Sequence, residues 1–225
     1  MSFPANFTIV SIEGNIGSGK TTLMSNLREQ YKNNEQVIFL KEPVDEWANI
    51  VDSNGITILE KFYANQERYS FPFQMMAYVS RLNVLKQALK SLDPTKKYTI
   101  ITERSLNTDR YVFAKMLYNS GKMEDVCYQI YLNWFNSFSD EFPVHKIIYV
   151  KVDPEICHGR ISKRSRDGED KISLDYLESC HRSHEDMLNN NNNETEKLVF
   201  DGNVDIHKNA NTLQDWLYEI NYFIR

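Results

Sequence analysis

The sequence predicts an α/β fold: a five-stranded parallel sheet flanked by helices. Three observations carry that prediction. Five short β-branched runs, at 7–12, 37–40, 98–102, 147–152 and 198–200, are nearly continuous in apolar residues, as strands covered on both faces should be. Helical stretches separate them, and alternation of this kind calls for parallel strands joined by right-handed crossovers. A glycine-rich turn from Gly14 to Thr21 links the first run to the first helical stretch.

The elements follow in order. After the run at 7–12 and its turn, a helix is expected over 20–32. The run at 37–40 ends at Glu42-Pro43, where proline forces the chain to turn. The long stretch 56–92 reads as two helices broken near Phe71-Pro72. A third strand at 98–102 precedes helices at 108–119 and 124–138. The fourth, 147–152, leads to a helix at 154–164, with Pro154 in a helix-opening position after Asp153. A helix at 174–188 runs into the asparagine tract 189–193, which reads as a flexible surface loop. The last strand, 198–200, and a helix over 207–224 complete the set. With no Pro/Gly/Ser linker and no repeat, residues 1–225 are expected to form one domain.

Composition narrows the function classes. A 225-residue domain buries roughly 70–75% of its extended-chain surface, so no disulfide or metal staple is needed. The net charge of −5 argues against long polynucleotides, which call for a basic face. No apolar run approaches the roughly 18 residues of a membrane span, so no membrane is expected as partner. Three cysteines without CxxC spacing fit a reducing compartment. Residues 1–6 lead straight into an apolar run with no Arg-rich amphipathic stretch, and cytoplasm is the expected location.

Gly14-Asn15-Ile16-Gly17-Ser18-Gly19-Lys20-Thr21 matches G-x-x-x-x-G-K-[ST] between a predicted strand and a predicted helix. Glycines let backbone N–H groups turn inward around phosphate oxygens, and the helix N-terminus adds its positive dipole end. Lys20 is expected to reach the β/γ-phosphates and Thr21 to offer its hydroxyl to Mg²⁺. No guanine-reading N-K-x-D is present, and Asp52-Ser53-Asn54-Gly55 reads as a plain turn. Small kinases therefore lead.

Ligands of open α/β sheets sit at the carboxyl ends of strands. Glu42, after the second run, is placed to accept the proton of an attacking hydroxyl, or else is a solvated strand-end acid. Glu103 and Arg104, after the third, fit a Mg²⁺-linked acid and a cation for the transferring phosphoryl, or a salt-bridged pair at a helix start. Arg160, Lys163, Arg164 and Arg166 put four cations into seven residues with no intervening acid. They read as a lid over a triphosphate, or as a solvated face that complements the helix dipole.

Together these segments resemble the deoxyribonucleoside kinase family, which includes deoxycytidine and deoxyguanosine kinases. The resemblance rests on E-G-N-I-G-S-G-K-T-T at 13–22, E-P-V-D-E-W at 42–47, F-P-F-Q at 71–74, E-R-S-x-x-x-D-R-Y-x-F at 103–113 and R-x-x-K-R-S-R at 160–166. It implies a P-loop kinase fold with an Arg-rich lid at about 160–172, and a homodimer built on the helices at 78–92 and 127–138. It implies ATP as donor, held by 14–22 including Thr22, by Lys20 and by Arg160, Arg164 and Arg166, with Mg²⁺ on Thr21 and Glu103. Glu42 becomes the base for a deoxynucleoside 5′-hydroxyl, fixed by Arg104. Tyr63 and Glu169 take the sugar 3′-hydroxyl, Phe73 and Phe113 flank the base, and Gln74 reads it. Ile16, Val44, Trp47, Leu59 and Phe62 form the apolar wall.

Ala77, Arg81 and Asp109 occupy the positions that set base choice in that family. A carboxylate accepts an exocyclic amine and a guanidinium meets a ring nitrogen or carbonyl, so deoxyadenosine is expected first. Deoxyguanosine and deoxycytidine come close behind, and thymidine last. Gly168 replaces a second lid acid that relatives often carry, and 204–206 loosely match a loop over the donor's base. Two other readings remain on the same residues. A nucleoside monophosphate kinase would need cations at the acceptor phosphate, where Glu42 repels one. A catalytically silent structural subunit would not need Lys20, Glu42 and Arg104, which are all present.

Overall fold

The computed structural model describes residues 6–164, 169–190, 195–206 and 209–225. Its sheet has the order β2-β3-β1-β4-β5 with every pairing parallel. The strands are β1 Phe7–Glu13, β2 Val37–Leu40, β3 Tyr98–Glu103, β4 Lys146–Lys151 and β5 Glu196–Asp201. Each predicted apolar run lies in its strand to within two residues at either end. The chain visits one side of β1 for β2 and β3, then the other for β4 and β5. The carboxyl end of β1 therefore lies at the switch point, where open α/β sheets bind ligands.

Strand alternation splits the core into two layers. Ile9 and Ile100 face one layer with Phe62, Tyr78, Leu89, Tyr131 and Phe135. Val10, Ile12 and Ile101 face the other with Leu23, Leu27, Ile148, Trp216 and Ile220. The helices are α1 Lys20–Gln30, α2 Val44–Ala48, α3 Ile58–Ala64, α4 Gln66–Lys90, α5 Leu106–Thr108, α6 Lys115–Asn119, α7 Asp125–Phe138, α8 Pro154–Arg164, α9 Leu174–Asn190 and α10 Ala210–Phe223.

Three expectations are corrected, and one helix is added. The break in 56–92 falls at Asn65 rather than at Pro72, which lies inside α4. Asn65 leaves the helical region (φ −150°, ψ 86°), and its side chain caps α4 by accepting from Arg68 N–H at 3.1 Å. Pro72 removes one backbone donor from a 25-residue helix, which the packing of its buried face outweighs. The stretch 108–119 is not one regular helix, because a π-helical turn at Asp109–Ala114 separates α5 from α6. Val44–Ala48 is helical beyond the strand end. Asn189 and Asn190 belong to α9, while 191–193 lie outside the described residues. The Asp52–Gly55 segment is a turn, with Gly55 at φ 79° donating to the Asp52 carbonyl at 3.0 Å.

Candidate active site

A cavity of about 890 Å³ opens over the carboxyl ends of the strands, from the β1–α1 turn to α4. The turn that floors it has its shape because its glycines have no side chains. Gly14 sits at φ 145° and Gly17 at φ 81°, and a Cβ on them would lie 2.6 Å from the Val150 carbonyl and 2.7 Å from the Cys157 carbonyl. Ile16 to Thr22 all line the cavity, while Gly14 and Asn15 lie just behind it. Lys20 is 5% exposed and donates from Nζ to the Asn15 carbonyl at 2.7 Å. Burial, reinforced by Arg104, lowers its ammonium pKa to about 8. Thr21 Oγ1 donates to Glu103 Oε1 at 2.7 Å, joining the start of α1 to the end of β3.

Behind this floor, two acids are held by two arginines. Arg81, on α4, donates from Nε to Asp109 Oδ2 at 2.9 Å and from Nη2 to Asp109 Oδ1 at 3.3 Å. Its Nη2 also reaches Glu42 Oε1 at 2.9 Å, and Nη1 the Glu103 carbonyl at 2.7 Å. Arg104 Nε lies 3.3 Å from the same Glu42 oxygen. Burial raises the Glu42 pKa, but Arg104, Arg81 and Lys20 together outweigh it and hold the carboxyl below its usual range. Burial lifts Asp109 to about 6 against the pull of Arg81, so both acids are ionised at neutral pH. Arg104 has the positive φ of 64° rare for a non-glycine residue, a conformation that costs about 1–3 kcal/mol and clusters at functional sites. Its Nη1 donates to the Gly14 carbonyl at 2.8 Å and lies 3.4 Å from His184 Nε2. Burial, then Arg104, keeps the His184 ring neutral.

The other arm of the cavity is apolar. Phe62 stacks on Phe73 with ring centroids 4.5 Å apart, and Trp47 meets Phe73 edge-on at 5.6 Å. Trp47 Nε1 donates to Ser80 Oγ at 2.9 Å, which fixes the indole. Val44, Leu59, Gln74 and Ala77 complete this wall. Gln74 is buried there, 2% exposed. The π-helical turn brings both Asp109 and Phe113 to the cavity, with the Arg104 guanidinium 4.9 Å from the Phe113 ring. Tyr63 and Glu169 also line the cavity. Burial, then the Glu169 charge, pushes the Tyr63 phenol well above its usual pKa.

Arg160, Lys163 and Arg164 reach the cavity from one face of α8. Arg160 Nη2 donates to the Gly202 carbonyl at 2.9 Å, and Arg164 forms an ion pair with Glu169. Val204, Asp205 and Ile206 line the same end, beside Trp216. Arg166 and Gly168 lie outside the described residues.

One placement differs from expectation. Arg81 does not line the cavity, because four hydrogen bonds hold its guanidinium among Asp109, Glu42 and the Glu103 carbonyl. It supports the base-edge acid rather than presenting itself. Tyr176 and His184 were not anticipated. Tyr176, Cys180 and His184 recur at four-residue spacing on the inner face of α9, and that periodicity with a buried histidine was the available signal.

The deoxynucleoside kinase family model matches residues 10–225 of the chain. The chain is 34% identical over 243 aligned positions to deoxycytidine kinase 2 of Gallus gallus, covering 97% of this chain and 90% of that protein. It is 36% identical over 196 positions to human deoxycytidine kinase, covering 80% and 74%. It is 33% identical over 183 positions to human mitochondrial thymidine kinase 2, covering 80% and 64%.

Proposed function

The chain belongs to the deoxynucleoside kinase family, and we propose that it transfers the γ-phosphoryl of ATP to the 5′-hydroxyl of deoxyadenosine foremost. Deoxycytidine and deoxyguanosine are accepted less well, and thymidine is the poorest substrate. One observation carries this order: Asp109, a buried carboxylate clamped by Arg81, stands in the cavity wall near the small Ala77. A carboxylate only accepts hydrogen bonds, so it favours the exocyclic amine of adenine or cytosine and repels a base carbonyl. Ala77 leaves room for a purine. The bonds that Arg81 already makes leave guanine without the guanidinium partner expected from the sequence, and it ranks behind the amine-bearing bases.

In this reading the base slides between Phe73 and Phe113 with Gln74 at its edge, and Tyr63 and Glu169 take the 3′-hydroxyl. That leaves the 5′-hydroxyl facing Glu42, whose ionised carboxylate receives its proton. ATP lies along 14–22 with its phosphates toward Lys20, Arg160 and Arg164. Among the described residues no three His, Cys, Asp or Glu side chains gather to hold a metal unaided. The Thr21–Glu103 pair offers hard oxygen donors of the kind Mg²⁺ takes alongside substrate phosphates. Bound there, Mg²⁺ would neutralise phosphate charge.

The test is a panel of the four deoxynucleosides at fixed ATP. The expected kcat/KM order is deoxyadenosine, deoxycytidine, deoxyguanosine, thymidine; thymidine at the top would overturn the assignment to Asp109. A second expected outcome concerns pH. Because Lys20 titrates near 8, the free enzyme loses this ammonium as pH rises. At saturating nucleoside, kcat/KM for ATP falls above about pH 8, and Lys20→Arg, which cannot deprotonate in this range, removes that alkaline limb.

Homodimerisation is part of the same proposal, supported by Val79 on α4 and Val126, Ile130 and Trp134 on α7, which form an exposed apolar set. So is a cytoplasmic location, supported by three unpaired cysteines. No described helix is long and apolar enough to cross a membrane.

A further inference from the structure

Glu13 has no part in the chemistry above, yet it lies fully buried beside it. It is the last residue of β1, and the strand period puts it on the same face as Ser11. Its Oε1 accepts from Ser11 Oγ at 2.5 Å, Ser105 Oγ at 2.8 Å and Thr108 Oγ1 at 2.6 Å. Its Oε2 is buried with no hydrogen-bond partner. Ser105 Oγ also accepts the Thr108 N–H at 3.3 Å, and Thr108 Oγ1 the Ser105 N–H at 3.2 Å. Each hydroxyl thus takes a backbone proton on a lone pair and has its own proton left to donate. Both hydroxyls, 3.0 Å from each other, are within donating distance of Glu13 Oε1.

Arg104 sits at the head of this turn. Three consecutive residues, the last two of β1 and Gly14 just after it, hold it in three ways. The Ile12 carbonyl accepts the Arg104 N–H at 3.0 Å, Glu13 anchors Ser105 and Thr108, and the Gly14 carbonyl accepts from the guanidinium at 2.8 Å. A left-handed arginine persists only where its surroundings over-determine it. A carboxylate that takes three hydroxyl protons on one oxygen and leaves its other oxygen buried without a partner points to what it positions rather than to stability.

We infer that Glu13 is a positioning residue: its carboxylate locks the Ser105–Thr108 turn and so holds Arg104 in the left-handed conformation that aims its guanidinium at Glu42. The inference rests on the proposed role of Arg104 in phosphoryl transfer. A double-mutant cycle with Glu13→Gln and Arg104→Gln tests it. Alone, Glu13→Gln lowers kcat about 30- to 100-fold, the scale of a misplaced catalytic group, with the deoxynucleoside KM little changed. In the Arg104→Gln background the same substitution costs less than about 2-fold. A full additional loss there, or an unchanged kcat for Glu13→Gln, would overturn the inference alone. An unchanged kcat for Arg104→Gln would overturn the reading of Arg104 and the inference with it. Should Glu13→Gln fail to fold, Thr108→Val takes its place in the cycle with the same criteria, and an additive loss again contradicts the inference.

Discussion

Glu42→Gln is expected to lower kcat about 10³-fold, within the span of general-base contributions, while the deoxynucleoside KM moves only a few-fold. The amide keeps the shape of the side chain but cannot take the 5′-hydroxyl proton. The substitution should leave the fold intact, because neither arginine loses all its partners. Arg81 retains both bonds to Asp109 and its bond to the Glu103 carbonyl, and Arg104 retains the Gly14 carbonyl. Steady-state kinetics with thermal denaturation as a control checks both halves. An unaltered kcat would remove Glu42 from the chemistry.

Arg104→Gln should be comparably severe. Arginines that stabilise a transferring phosphoryl contribute about 10³–10⁵ in rate, and a loss of about 10³-fold in kcat is expected here. The substitution also has a signature that simple misfolding lacks. Arg104 is one of the cations that hold the Glu42 carboxyl below its usual range, so its removal raises that pKa. Activity requires the ionised form, and a raised pKa means that protonation sets in at higher pH on acidification. The acidic limb of the kcat profile therefore moves up in the variant. An acidic limb at the wild-type position would mean that the guanidinium does not act on Glu42.

The central strands β1, β3 and β4 could be read from the sequence because each is a largely buried β-branched run. The edge strands β2 and β5 could be read from their short apolar runs, although β2 is half-buried and β5 mostly exposed. The phosphate turn could be read because only glycine tolerates φ 145° at Gly14 and φ 81° at Gly17 with carbonyls so close. Pro72 misled because proline usually ends helices, and the tertiary packing that overrides it involves residues far apart in sequence. The π-helical turn leaves no local signature, since Asp109-Arg110-Tyr111-Val112-Phe113-Ala114 has the composition of an ordinary helix. Arg81 and Asp109 could be picked out by resemblance, but not that the guanidinium would turn inward to Glu42. That depends on β2, α4 and the π-helical turn converging in space. Glu13 looked like the opening letter of a motif. Its partners Ser105 and Thr108 are 92 and 95 residues away, and no spacing rule reaches them.

The most direct measurement is identification of the product when deoxyadenosine, ATP and Mg²⁺ are incubated with the protein, by mass spectrometry and phosphorus NMR. The proposed arrangement predicts one nucleotide product, 2′-deoxyadenosine 5′-monophosphate, formed in a 1:1 ratio with ADP, and about 10³-fold slower by Glu42→Gln. ADP released without a nucleoside monophosphate, or phosphate carried at the 3′ position, would contradict it.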